Sequence, residues 1–171
     1  MKHILDTPVH FPCGAIMKNK FMLAPMTNTQ SFEDGQLSDE ELRWLTLRAE
    51  GQFGLVMTCA SHVQENGKGF PGQLGIFSDQ HIPGHKRMAS ALKSHGSLAV
   101  VQLHHAGMRS PFDLIQETPV CPSKNEKNGA RELTLEEIEE LKNDFIQAAI
   151  RAKGSGYDGV EVLAEPVFCW A

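Results

Sequence analysis

Three short stretches each end an apolar run with groups able to meet a ligand. The first is Ala24-Pro-Met-Thr27, where the Thr27 hydroxyl can donate one hydrogen bond to a ligand carbonyl. The structural alternative is that Pro25 ends a strand and Thr27 starts a turn. The second is Thr58-Cys-Ala-Ser-His62, with a cysteine and a histidine close enough in sequence to suggest a catalytic pair. In extended chain, at roughly 3.3 Å per residue, Cys59 and His62 stand about 10 Å apart, too far for direct proton transfer. Ala60 is the more useful residue, because a small side chain lets a flat ligand approach the backbone.

The third stretch is Val101-Gln-Leu-His-His-Ala-Gly107, in which Gln102 is polar at the end of an otherwise apolar strand. Leaving the amide groups of a buried glutamine unpaired costs about 1–3 kcal/mol each. A ring with alternating C=O and N–H groups would satisfy them, and so would neighbouring loop backbone. His104 and His105 have no third ligand at a recognisable spacing, so no metal site is expected. No G-x-G-x-x-G or P-loop pattern follows a strand, which argues against the usual dinucleotide and nucleoside triphosphate sites. No residue is assigned a catalytic role.

Local signals define the elements that must carry these groups. Residues 7–18 form a hairpin pattern with Cys13-Gly14 at the turn, and Phe21-Met-Leu-Ala-Pro25 reads as a short strand entering a loop. Ser38-Asp-Glu-Glu41 is a capping box, opening a helix through about Glu50 that Gly51 stops. Strands follow at Leu55–Cys59 and Leu98–Leu103, with a helix between them that starts after Pro83 and closes at Gly96. The connection 104–133 contains three prolines, and loops of that length are usually functional. Thr134-Leu-Glu-Glu137 caps a helix with Ile138, Leu141, Phe145, Ala148 and Ala152 on one stripe, and Asp158–Val162 is the last strand. The alternation predicts α/β with a parallel sheet. Periodicity fits a doubly wound sheet and a (β/α)8 barrel equally.

The chain of 171 residues has 41% hydrophobic residues and a net charge of −5. That composition suits one soluble domain, argues against nucleic-acid binding and leaves no run long enough for a membrane helix. Four cysteines without zinc-type pairing point to a reducing cytoplasm.

Five stretches in order carry a family resemblance: Leu23-Ala-Pro-Met-Thr27, Arg48-Ala-Glu-Gly-Gln-Phe-Gly-Leu-Val-Met-Thr-Cys-Ala60, Leu74-Gly-Ile-Phe-Ser-Asp79, Ala99-Val-Val-Gln-Leu-His-His-Ala-Gly107 and Ala148-Ala-Ile-Arg-Ala-Lys-Gly-Ser-Gly-Tyr-Asp-Gly-Val-Glu-Val162. Together they resemble the Old Yellow Enzyme family of FMN-dependent NAD(P)H:flavin oxidoreductases and ene-reductases. The resemblance implies a TIM barrel with FMN at its carboxyl face. It places Pro25, Met26, Thr27, Ala60 and Gln102 against the cofactor. Thr27 would meet the flavin C4 carbonyl, and Gln102 the pyrimidine part of the ring. It further implies hydride transfer from NAD(P)H through FMN to an activated alkene, a small-molecule substrate such as an enone.

The resemblance runs to about residue 162. The family's pair of side chains that holds the substrate carbonyl would fall on Leu163 and Pro166, neither of which donates a side-chain hydrogen bond. Met108 stands where the family has arginine, and Arg109 follows one place later. Residues 1–171 are therefore expected to form an incomplete, truncated (β/α)8 barrel domain of about four strands with an N-terminal hairpin. Such a chain is expected to bind FMN poorly and to work with a complementary C-terminal half or as a homo-oligomer. The alternative is a non-enzymatic remnant or interaction module, which would purify without flavin.

Overall fold

The computed structural model describes residues 3–163. The chain opens with an antiparallel hairpin, β1 (Val9–His10) and β2 (Ile16–Met17), with Val9 opposite Met17. Its turn uses Gly14 at φ +88°, a left-handed conformation that glycine adopts without a Cβ clash. Then come β3 (Met22–Leu23), α1 (Asp39–Glu50), β4 (Leu55–His62), α2 (Ile82–Ser94) and β5 (Leu98–His104). After a short α3 (Phe112–Ile115), β6 (Val120–Cys121) and β7 (Arg131–Glu132) form a small parallel pair. The chain continues through α4 (Leu135–Gly154) into β8 (Gly159–Val162).

Strands β3, β4, β5 and β8 make one parallel sheet in that spatial order. This order resolves the choice left open by periodicity. A doubly wound sheet reverses direction at a switch point and places helices on both faces. Here each strand joins the same edge, and right-handed crossovers then carry α1, α2 and α4 to the same side. Val56, Cys59, Ala99, Val101 and Leu103 accordingly share a core with Leu45 and Ala49 of α1, Met88 and Leu92 of α2, and Ala148 and Ala152 of α4. The other face of the sheet carries Leu55, Met57, Leu98 and Val100, which the hairpin covers with Met17 and Val9. The architecture is an arc of a (β/α) barrel whose amino end is plugged by the hairpin. The carboxyl end of that inner face stays open.

The N-terminus of α1 departs from its expected reciprocal box. The Ser38 hydroxyl accepts from the Glu41 amide at 3.0 Å, as the motif predicts. The Glu41 carboxylate, however, is fully buried and accepts from the Ser31 hydroxyl and from the Cys59 thiol. Packing α1 on β4 turns this side chain into the core, where two donors from other elements satisfy it. Ser38→Ala should lower stability by about 1 kcal/mol in urea denaturation, the usual loss for an N-cap.

The box of α4 forms in full. Thr134 and Glu137 exchange backbone–side-chain bonds at 2.8 and 3.2 Å, and Arg131 grips Glu137 at 2.6 and 2.8 Å. Arg131 first, and then the Thr134 amide, hold the Glu137 carboxyl down at about 2. The apolar stripe of α4 is buried at Ala148 and Ala152, whereas Ile138 is exposed. Its first half lines an apolar hollow with Val120, Cys121 and Leu133 of the 104–133 connection. Among the described residues no helix is long and apolar enough to cross a membrane.

Candidate functional site

The site is set by a row of in-register positions across three strands. Ala60 of β4 pairs with Gln102 of β5, and Gln102 pairs with Glu161 of β8, so the three side chains share one face. A bulge places them there. Between Met57 and Ala60 the register of β4 shifts against β5, three residues of one strand spanning two of the other. In a regular strand Cys59 would follow Met57 onto the inner face. The extra residue sends Cys59 to the helix side and brings Ala60 inward. Thr58 stabilises the bulge, donating to the Cys59 carbonyl at 2.8 Å while its hydroxyl accepts from the Gln102 amide at 3.4 Å.

A cleft of about 490 Å³ opens above this row. Pro25, Met26 and Thr27, which continue from β3, form one wall, and Ala60 and Gln102 form its floor. Gly69, Phe70, His104, Ala106, Arg109 and Leu163 complete the lining. All five residues singled out from the sequence therefore meet at one cavity. Met26 is half exposed at the rim, and Gln102 is buried.

Neither partner anticipated for Gln102 is the one observed within the chain. Its Nε2 donates to Glu161 Oε1 at 2.6 Å, a contact across 59 positions. The carboxylate accepts only, so the amide nitrogen turns toward β8 and the amide oxygen away from it. Glu161 was not picked out in the sequence. The signal was present in Val160-Glu-Val162, where alternation puts the acidic residue opposite two outward valines.

Gln73 was also missed. It is fully buried, accepts from the Gly69 amide at 2.7 Å, and donates to the Ala60 carbonyl at 2.8 Å. Its Nε2 also lies 3.1 Å from His104 Nδ1. One side chain thus joins the Gly69–Phe70 loop to the ends of two strands. Nothing in the local pattern of Pro71-Gly-Gln73 marks this role.

The remaining candidates have structural duties. Burial drives the Cys59 thiol well above its usual range, and the neighbouring Glu41 pushes it further. A protonated thiol bonded to Glu41 and facing the helices is no nucleophile for the cleft. His105 accepts from the Gly107 amide at 3.0 Å and reaches Asn66 Oδ1 at 3.3 Å. Burial, and then His104, lower its pKa to about 4. Burial takes His104 to about 4. Among the described residues no three histidine, cysteine or acidic side chains cluster to hold a metal. Leu163, half-buried, offers the cleft only an aliphatic side chain, with its backbone amide donating to Leu103 O at 3.0 Å. Pro166 lies outside the described residues.

Comparison with known proteins decides the relationship. The model of the NADH:flavin oxidoreductase / NADH oxidase family matches residues 5–168. The chain belongs to this family. It is 42% identical over 162 residues to the probable NADH-dependent flavin oxidoreductase YqiG of Bacillus subtilis (strain 168), covering 92% of this chain and 43% of the relative. Its fold matches 2-naphthoyl-CoA reductase with a TM-score of 0.92 at 29% identity, over 97% of this chain and 28% of that one. It also matches the old yellow enzyme homologue of Zymomonas mobilis with a TM-score of 0.85 at 29% identity, over 92% of this chain and 47% of the other. The chain spans less than half the length of each of these proteins. Within that span the sheet and its helices follow the fold of these barrels.

Proposed function

We propose that the chain forms the ring-binding part of an FMN site in an NAD(P)H-dependent oxidoreductase that reduces activated alkenes such as enones. One observation carries this reading. A small residue, an oriented amide and an exposed hydroxyl, Ala60, Gln102 and Thr27, converge on one cleft at the carboxyl ends of adjacent parallel strands. That is the edge at which barrel enzymes assemble their sites. A volume of about 490 Å³ lies within the usual range for small-molecule and cofactor pockets.

The donor set fits a flat ring with alternating carbonyl and N–H groups. Ala60 leaves room for the ring plane above the sheet. Thr27 donates from the rim to a ring carbonyl. Gln102 presents its amide oxygen to a ring N–H, because its nitrogen is committed to Glu161. Pro25 and Met26 exclude water from one side. Bound FMN would supply hydride transfer between NAD(P)H and the β-carbon of the alkene, and the protein would orient it and adjust its electronics. Barrels frequently hold phosphate after strands seven and eight. The four strands described therefore account for the ring side of such a site.

The reading treats residues 1–171 as belonging to one FMN-binding barrel domain in a reducing cytoplasm, where Cys13, Cys59 and Cys121 remain free thiols. Val160 and Val162 are 39% and 55% exposed along the outer face of β8, and Ile146 and Ile150 are exposed on α4 beside it. An apolar edge of this kind favours a further β/α unit packing there, from the rest of a barrel or from a second copy.

Titration with FMN, followed by quenching of flavin fluorescence, tests the assignment. Gln102→Leu should weaken binding about tenfold, the value of one lost hydrogen bond to a polar ring together with a stranded Glu161. Thr27→Val should weaken it less and shift the flavin reduction potential. Equal affinity of the wild type and both variants would remove the reading.

A further inference from the structure

We propose that Glu161 is a positioning residue that sets the ligand specificity of the cleft: it holds Gln102 Nε2, fixes the Gln102 amide oxygen toward the ligand, and so selects a ring that offers an N–H there. The orientation follows from the chain alone. The selection rests on the reading of the cleft given above and extends it to a residue behind the cleft floor.

A glutamine amide has two ends of nearly the same shape, one accepting and one donating. Free to turn about its last torsion, it could present either end to a ligand. Gln102 is not free, because one of its terminal atoms lies 2.6 Å from Glu161 Oε1. A carboxylate only accepts, so that atom is the nitrogen. Turning the amide over would set two oxygens against each other with no hydrogen between them. Hydrogen bonds to an ionised acceptor are also roughly twice as strong as neutral ones.

Both anchors of this contact are fixed by the sheet. Gln102 and Glu161 are paired neighbours on adjacent parallel strands, so their side chains rise from one face. Backbone bonds hold β8 to β5 at each end, from the Asp158 amide to Ala99 O at 2.8 Å and from the Leu163 amide to Leu103 O at 3.0 Å. The Asp158 carboxylate adds a bond from the Ala99 amide at 2.9 Å. On the other side, the Gln102 amide meets the Thr58 hydroxyl at the bulge. Neither strand can slide to relax the contact without breaking these bonds. Gln102 itself is buried and lines the cleft, so the orientation imposed by Glu161 is what a ligand meets. A ring with an N–H at this point pairs with the amide oxygen. A ring alkylated there leaves that oxygen without a hydrogen. Oxidised flavin carries its one ring N–H at N3, between two carbonyls, so FMN and N3-methyl-FMN differ in the group that Glu161 selects.

Fluorescence titration of the full chain with these two flavins tests the selection. Glu161→Met keeps the length of the side chain and removes the acceptor. It should weaken FMN about tenfold and change the weaker affinity for N3-methyl-FMN by less than about twofold, since that ring has no N–H to lose. Glu161→Gln, which still accepts but can also donate, should fall between wild type and Glu161→Met for FMN. Equal losses for both flavins mean a merely structural role and overturn the proposal, as does unchanged FMN affinity. The orientation is read without ligand from the Gln102 side-chain NH2 signals in 15N–1H NMR, assigned by their loss in Gln102→Leu. Slow hydrogen exchange in the wild type that becomes fast in Glu161→Met is expected. Fast exchange in the wild type overturns the orientation, and the selection falls with it. Failure of the wild type to bind FMN counts against the cofactor assignment and the selection, while the ligand-free spectrum still decides the orientation.

Discussion

Acidification from about pH 7 to pH 4.5 is expected to unfold the protein, with the midpoint falling between about pH 6 and 5. Four histidines, His62, His85, His104 and His105, are buried and held to pKa values of about 4, in each case mainly by desolvation. His85 shows the cause most clearly. It has 1% of its surface exposed, sits 2.9 Å from the Gly75 carbonyl and 3.0 Å from the Tyr157 hydroxyl, and among the described residues has no acidic partner to stabilise a charge.

In the unfolded chain each ring titrates near its ordinary value of about 6.5. The folded pKa is the lower one, so the stabilisation is present above about 6.5 and is lost as pH falls toward about 4. In that window the unfolded state binds protons that the folded state refuses. Each histidine then removes about 1.4 kcal/mol of stability per pH unit. Four acting together remove about 5 kcal/mol per unit, comparable to the total stability of many domains. Thermal unfolding followed by circular dichroism across this range measures the slope. His85→Gln, with no proton to take up, should flatten it by about one proton while lowering the melting temperature at pH 7. A wild-type profile that stays level from pH 7 to 4.5 would show that burial does not keep these rings neutral.

The second large effect is expected at Ala60. Ala60→Leu should weaken FMN about 10- to 100-fold, since overpacking a close contact costs about 1–3 kcal/mol. The side chain would rise from the floor of the cleft beside Gln102, where the ring plane has to lie. The unliganded fold should tolerate it, because the added carbons enter an open cavity rather than the helix-side core. Flavin fluorescence titration, paired with the melting temperature of the apo chain, separates the two effects. Unchanged FMN affinity would place the ring elsewhere. A collapse of the apo fold would show that Ala60 faces the core.

Much of this protein was legible in the amino-acid sequence. The hairpin, the three long helices and the four parallel strands follow from alternation, apolar stripes, Ser38, Thr134 and the glycines after each helix. These signals are local, acting over a few residues, and so they survive without a fold. Five motifs in order were enough to name the family. Five positions of the cleft, Pro25, Met26, Thr27, Ala60 and Gln102, were visible because each lies near where an apolar strand stops.

Tertiary structure decided what depends on register. The order β3-β4-β5-β8 separates a barrel arc from a doubly wound sheet, and no periodicity records which edge a strand joins. The bulge in β4 exchanges Cys59 for Ala60 on the inner face, a reversal that one inserted residue produces and no residue type announces. Glu161 reaches Gln102 across 59 positions, Gln73 reaches His104 across 31, and Glu41 reaches Cys59 across 18. The sequence by itself determined which groups stand at the strand ends. Only the paired strands determined which way those groups face and who holds them, because a hydrogen bond is made by geometry that distant segments acquire when they pack.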